Sequence, residues 1–292
     1  MMKKRKLGII GGSGLYKMVG FEKAKWKKIN TPWGKPSDEI LLANLGKEEI
    51  CFIPRHSRGH KISPSNINFR ANIDAMKQLG VTDIISVSAV GSLKENLEPG
   101  KFVIVDQFID RTFSRIKTFF NEDIVAHVSM AQPTSKGLSK CCEAALKKLN
   151  IKYQVGGTYV VMEGPQFSTL AESNLYRSWR ADVIGMTNMP EAKLAREAEI
   201  RYCTVAMVTD YDCWHPDHDE VDVSMVVQTL MKNAANAQNM IKEIIKTFKN
   251  YSVEKDPAND CLDVAIITDA KLRTKKTIKK LKNIAGRVLN KK

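Results

Sequence analysis

Residues Lys6–Tyr16 read KLGIIGGSGLY, and the fold class follows from this stretch. Leu7–Ile10 is a short apolar run with no polar alternation, the pattern of a strand in a largely buried sheet. Gly11 and Gly12 break the run and turn the chain. Bare glycines let backbone N–H groups approach an anion closely, and Ser13 adds a hydroxyl donor. The turn lacks the lysine of a P-loop and the third glycine of a dinucleotide fingerprint.

Working outward, similar strand-like runs recur at Glu39–Leu45, Ile50–Ile53, Asp83–Val87, Phe102–Val105, Thr158–Met162 and Tyr202–Val208. Helical spacing occupies Asn66 to Leu79, Leu138 to Leu149, Thr169 to Trp179, Pro190 to Ile200 and Asp222 to Phe248. This alternation predicts an α/β fold. Phe69, Ile73 and Met76 share one face of the first helix, which ends at Gly80, and Pro190 suits the first turn of its helix. Residues 250–260 are rich in Asp, Pro, Asn and Lys and read as a linker. Beyond them Ile278, Leu281, Ala285, Val288 and Leu289 recur at helical spacing among lysines. The organisation is therefore a body over residues 1–250, followed by a linker and a basic amphipathic helix over 251–292.

A formal charge of +14 suggests a nucleic-acid binder until it is located. Fourteen of the 46 basic residues lie in segments 1–6 and 271–292, which hold no acids, and the remaining 32 balance the 32 acidic residues between them. The neutral body confines any nucleic-acid role to the two ends. Six scattered cysteines without paired spacing read as reduced thiols. Lys3–Lys6 before Leu7–Ile10 mimics a secretory signal, but the apolar run is too short for one, and no run reaches the ~18 residues of a membrane span. A cytoplasmic protein is expected.

Four further segments carry candidate chemistry. Pro54–His60 reads PRHSRGH, and an arginine fork suits phosphate oxygens; zinc binding by His56 and His60 lacks a third ligand. Ser86–Ser92, SVSAVGS, ends a strand with small hydroxyl residues that leave room for an anion. Glu163–Ser173, EGPQFSTLAES, presents Phe167, either as core or as a face for a flat base, with Ser168 beside it for polar contacts. Val208–Trp214, VTDYDCW, sets two carboxylates two residues apart behind a buried strand. A carboxyl group in an apolar cleft can keep its proton near neutrality and give it to a leaving nitrogen, while its partner accepts from an amine. His215, Asp217, His218, Asp219 and Glu220 add a metal site as an alternative for that loop.

In this order, and together with TPWGKPSD (Thr31–Asp38), DQFIDRT (Asp106–Thr112), AHVSMAQP (Ala126–Pro133) and MTNMPEAKLAREAEI (Met186–Ile200), these motifs resemble the trimeric purine nucleoside phosphorylases over residues 6–248. The resemblance implies a single-domain twisted mixed β-sheet with surrounding helices, assembled as a homotrimer. It implies phosphate-dependent cleavage of an N-glycosidic bond, with 5′-methylthioadenosine giving adenine and 5-methylthioribose 1-phosphate; a 6-oxopurine nucleoside is the alternative substrate. Phosphate would be held by Ser13, Arg55, His56, Ser88, Ala89 and Thr187. Met186 would lie against the ribose and Phe167 on the base, with Ser168 and Tyr211 also at the substrate. Asp210 and Asp212 would read the purine edge and carry the catalytic proton chemistry. Val223, Val226 and Val227 would line the methylthio pocket, closed by His127 and Leu289 of a neighbouring subunit. No metal or organic cofactor is implied, and inorganic phosphate is a co-substrate. Gln166 and Leu170 stand where relatives often carry arginine, so that turn is given no charged role. A dinucleotide-dependent oxidoreductase would leave the Arg/His loop and the paired aspartates unexplained.

Overall fold

The computed structural model describes residues 5–12, 20–216 and 223–290, apart from the side chains of 223, 225 and 226. Among these, eleven strands form one sheet: β1 (Leu7–Gly11), β2 (Glu22–Lys27), β3 (Ile40–Leu45), β4 (Glu48–Pro54), β5 (Asp83–Ser92), β6 (Phe102–Val105), β7 (Gln107–Asp110), β8 (Tyr153–Val155), β9 (Thr158–Val161), β10 (Val183–Gly185) and β11 (Arg201–Asp210). The main path runs β2-β3-β4-β1-β5-β10-β9-β7, and β11 branches from β5 to pair with β6, which pairs with β8. β1 lies parallel to β4 and β5, while β10 meets β5 antiparallel, so the sheet is mixed as expected.

All five residues of β1 are buried because helices cover both faces. One face carries α1 (Phe69–Gln78), α4 (Asn188–Glu197) and the tail; the other carries α2 (Lys136–Lys148) and α5 (Val223–Thr247). Helix starts follow local chemistry. Asn68 accepts from the Ala71 N–H at the start of α1, and Ser135 does the same for α2. Thr169 and Glu172 form a reciprocal capping box on α3 (Leu170–Ser178). Near Pro190 the backbone at Met189 is still non-helical, so regular α-helix begins at the proline.

Four strands were not legible in the sequence. β2 reads EKAKWK and is almost wholly exposed at the sheet edge, where charge guards against further pairing. β7, β8 and β10 are only three or four residues long, too short for a periodicity to show.

Asp83 is fully buried at the start of β5, where Arg201 meets its oxygens at 2.7 and 2.9 Å and Arg5 at 2.9 and 3.2 Å. Those bonds tie the N-terminal segment and β11 to the centre of the sheet. Arg201 also reaches Asn259 Oδ1 at 2.7 Å, so the 250–260 connection is anchored to the same node. The tail forms two short helices instead of the single one its spacing suggests, α6 (Lys275–Lys280) and α7 (Lys282–Leu289), with the break at Leu281. Leu281, Ile284 and Ala285 are buried in the cluster that includes α1 and α4, and Leu289 packs partly buried against it. Arg287 pairs with Glu199 and Asp263.

The tail is thus part of this chain's core. Each buried aliphatic side chain contributes about 1.5–3 kcal/mol. Truncation after Arg273 is therefore expected to cost on the order of 3–6 kcal/mol in equilibrium denaturation, a large share of a typical domain's stability. Coincident denaturation midpoints for the full and truncated chains would show that the tail is only loosely docked.

Candidate active site

The carboxyl ends of β1, β4, β5 and β11 open onto one cavity of about 520 Å³, the usual ligand position in an open α/β sheet. Gly12, Arg55, His56, Ser88, Ala89, Met186, Thr187, Phe167, Asp210, Asp212 and Val227 all line it. Segments that lie 200 residues apart in the sequence are therefore brought to one hollow.

At one end Arg55 is buried with its guanidinium against Glu191, Nε to Oε2 at 2.7 Å and Nη2 to Oε1 at 3.1 Å. Burial works against this cation, but the Glu191 carboxylate more than offsets it, so its pKa is raised. His56 is 6% exposed, and its Nδ1 lies 2.8 Å from the Ile62 carbonyl. A carbonyl can only accept, so Nδ1 carries the proton and Nε2 presents a lone pair. Its ring stacks on His60 at 4.2 Å. Burial, with the nearby Arg55 cation, pushes the His56 pKa down to about 4. The ring is therefore neutral at pH 7.

At the other end Asp210 and Asp212 are 7% and 6% exposed. Asp210 Oδ2 accepts from Thr209 Oγ1 at 2.7 Å, and its Oδ1 from the Asp212 N–H at 2.8 Å. Burial raises the pKa of both, and for Asp212 the charge of Asp210 adds to it. Asp212 Oδ2 is buried and makes no well-aligned hydrogen bond among the described residues, although the Ser173 and Ser168 hydroxyls lie near enough to offset part of the rise in its pKa. A buried lone acceptor of this kind is rare and costly, and it suits a donor brought by a ligand. A bulge between Val208 and Asp210 places Asp210 opposite Gly91 of β5. A Cβ at Gly91 would lie 2.8 Å from Asp210 Oδ1 and 3.3 Å from Asp212 Cβ, so only glycine lets the two strand ends close.

Met162, Ile184, Met186 and Met207 add apolar lining, and Phe167, which also lines the cavity, is 41% exposed. Arg115 holds this stretch from behind, donating to the carbonyls of Met186 at 2.6 Å, Met189 at 2.7 Å and Glu163 at 2.7 Å.

Four of the expected site residues stand off the lining. Ser168 turns its hydroxyl to Met162 Sδ at 3.7 Å. Tyr211 is buried against Trp214 and His215 and is not part of the lining. His127 is exposed and Leu289 sits on the tail, both away from this chain's own cavity. Ser13 and the side chains of Val223 and Val226 lie outside the described residues, as do Asp217–Glu220 of the alternative metal loop. Among the described residues no cluster of three or more His, Cys, Asp or Glu is placed to hold a metal ion.

Glu191, Asn188 and Arg115 carried no sequence signal as site residues. Each acts through partners far away in the chain, Glu191 being 136 positions from Arg55.

Comparison with known proteins agrees with this geometry. Residues 6–246 match the Phosphorylase superfamily, and the chain belongs to that family. Within it, the chain is 57% identical over 284 residues to the S-methyl-5′-thioadenosine phosphorylase of Rhodospirillum rubrum, covering 97% of both chains. It is 53% identical to the corresponding protein of Cereibacter sphaeroides, covering 98% of this chain and 99% of that one. Among solved structures, a methylthioadenosine phosphorylase from an Antarctic soil metagenomic library superposes with a TM-score of 0.90 at 46% identity, covering 97% and 99% of the two chains. The Schistosoma mansoni methylthioadenosine phosphorylase in complex with adenine gives a TM-score of 0.81 at 34% identity, covering 89% and 97%.

The His56 environment has a consequence for pH. Its folded pKa lies below the ordinary value, so the unfolded chain binds the proton more readily. The neutral ring's stability is complete above about pH 6.5 and declines toward pH 4, by about 1.4 kcal/mol per unit. The unfolding free energy of wild type relative to that of His56→Gln, measured from pH 7 to pH 4, should fall by up to about 3 kcal/mol. Parallel curves would show that the imidazole is not held neutral.

Proposed function

We infer that this protein is a phosphorylase that cleaves 5′-methylthioadenosine with inorganic phosphate, giving adenine and 5-methylthioribose 1-phosphate. The observation that carries this reading is the buried Asp212 Oδ2, without a well-aligned hydrogen bond, beside Asp210 and one cavity away from the Arg55–His56 end. An adenine 6-amino group supplies the missing donor. A 6-oxo group would set oxygen against oxygen, which disfavours inosine or guanosine as substrate.

In the proposed mechanism Arg55, Ser88, Ala89 and Thr187, with Ser13 and the backbone N–H of His56, hold phosphate beside C1′ of the sugar; the His56 ring, its one proton on the Ile62 carbonyl, shapes the site without donating to the anion. Met186 lies against the ribose, and Phe167 covers the base. Asp210, its pKa raised by burial, donates a proton to N7 of the purine. The C1′–N9 bond then breaks, with its electron pair moving onto the N7-protonated purine, which leaves as neutral adenine. Positive charge grows on the sugar, the phosphate dianion stabilises it, and a phosphate oxygen forms the new bond to C1′. Asp212 accepts from the amine and fixes the base. Val227 and Leu230 give the cavity an apolar side for the methylthio group, where a 5′-hydroxyl would lose its hydration without return. The chemistry calls for phosphate as co-substrate and for no metal.

The proposed assembly is a homotrimer in which His127 and Leu289 of one subunit close the methylthio end of the next. Phe113, Val264 and Ile267, at 81%, 93% and 65% exposure, offer apolar surface for such contacts. A cytoplasmic setting fits the six free cysteines. Among the described residues no helix is long and apolar enough to cross a membrane.

Purified protein should release adenine from methylthioadenosine only when phosphate is present; equal release without it would mean a hydrolase. Asp210→Asn with Asp212→Asn should lower kcat/KM for methylthioadenosine by about 100-fold or more and improve inosine relative to it. A wild type that prefers inosine would refute the assignment of the two carboxylates.

A further inference from the structure

Arg55 is the sole lysine or arginine lining the cavity among the described residues, and its donors are largely committed. A guanidinium has five N–H bonds. Two meet Glu191, one meets Ser86 Oγ at 2.6 Å, and one meets the Val87 carbonyl at 3.2 Å. A single Nη1 N–H is left for a ligand. Arg55 and Glu191 are each 1% exposed, so the pair is shielded from solvent and salt.

Glu191 organises more than Arg55. Its Oε1 also accepts from Ser86 Oγ at 2.7 Å and from the Tyr202 hydroxyl at 2.8 Å. Each hydroxyl spends its one proton there, so each can only accept from the neighbouring Asn188 amide. That requirement orients Asn188. Its Nδ2 faces Tyr202, Ser86 at 3.2 Å and Thr204 at 2.5 Å, and its Oδ1 faces Ser88 Oγ at 3.2 Å. Ser88 lines the cavity. One carboxylate behind the wall thus sets the hydrogen-bond directions of a chain that reaches Ser88 on the lining, whose hydroxyl donates to Asn188 Oδ1 and must turn from it to meet an anion.

We propose that Glu191 is a positioning residue for the phosphate step: it pins Arg55 with one N–H toward the cavity and balances its charge, so phosphate is held by oriented hydrogen bonds rather than by a net counter-ion. The inference rests on reading this end of the cavity as the phosphate site. An unbalanced arginine would bind the dianion more tightly before reaction, and binding gained only in the ground state does not speed the chemical step. It would also neutralise the charge that phosphate must offer to the sugar cation. The neutral ring of His56 adds no replacement charge.

The test is phosphate binding to the full-length protein by calorimetry, the rise in Tm that phosphate produces, and kcat with KM for each substrate. For Glu191→Gln the phosphate Kd is expected to fall roughly tenfold, while kcat falls by about tenfold or more and KM for methylthioadenosine stays within about twofold. The uncompensated Arg55 destabilises the variant and phosphate restores it, so the phosphate-induced rise in Tm should exceed that of wild type. A merely structural role would not tighten phosphate binding. A Kd equal to or weaker than wild type overturns the proposal. If Glu191→Gln does not fold without phosphate, Arg55→Gln and the double variant Arg55→Gln with Glu191→Gln decide. Arg55→Gln alone leaves the Glu191 charge beside the anion, and adding the second change should recover phosphate affinity by about tenfold. No recovery overturns the proposal. A wild type that binds no phosphate would remove the phosphate reading and this inference together, whereas binding by wild type without tightening in the variants counts against Glu191 alone.

Discussion

β5 hydrogen-bonds to β1 along its first half, to β11 along almost its whole length and to β10 at its end, and that three-way pairing is the constraint on which the rest of the structure rests. Because β5 is paired on both edges and covered on both faces, its side chains have no solvent to turn to. Its early residues, such as Ile84, Ile85 and Val87, enter the two core clusters. Among its later ones Ser88, Ala89 and Gly91 are small, which leaves room for a cavity between the strand ends, while Val90 turns into the core. The bulge that sets Asp210 against Gly91 follows from the same crowding. A Cβ there would collide with the Asp210 carboxylate and crowd Ile184 and the Asp212 Cβ, so the sheet's register and the placement of the site's carboxylates both depend on one glycine.

Buried charge divides the molecule into structural and chemical parts. Taking a charge out of water is costly unless hydrogen bonds and an opposite charge replace the water. Asp83 meets that condition with Arg5 and Arg201, and Arg55 meets it with Glu191. Such satisfied pairs hold elements in place, each joining segments distant in the chain. Asp212 does not meet it, since one of its oxygens makes no well-aligned hydrogen bond among the described residues. The difference in satisfaction, rather than residue type, separates a carboxylate that organises the fold from one that waits for a ligand.

The tail shows how composition can mislead without context. Ten basic residues and no acids invite an electrostatic role, yet the apolar stripe among them decides where the chain goes. Leu281, Ile284 and Ala285 are buried in the cluster built on α1 and α4, and Arg287 finds Glu199 and Asp263 on the body. Lys280 pairs with Glu122. Apolar area and a few ion pairs account for the position of α6 and α7.

Much of this protein was legible in its residues alone. Long apolar runs and helical spacing determined the central strands and the main helices, because burial on both faces and the 3.6-residue period leave direct marks on sequence. The order of glycine turn, Arg/His loop, small hydroxyl strand end and paired aspartates determined the class of chemistry, since each segment carries its donors locally. The tertiary structure alone decided the rest. β2 is a charged edge strand, and β7, β8 and β10 are held by their neighbours, not by their own pattern. The sequence marks Arg55 as an anion donor, but only folding brings Glu191, 136 residues away, to take two of its N–H bonds. It places Tyr211 between two aspartates, but the turn after β11 sends that ring to Trp214, off the lining, while both carboxylates face the cavity. A local motif can specify which groups a segment carries; which way they point, and what neutralises them, depends on contacts between distant parts of the chain.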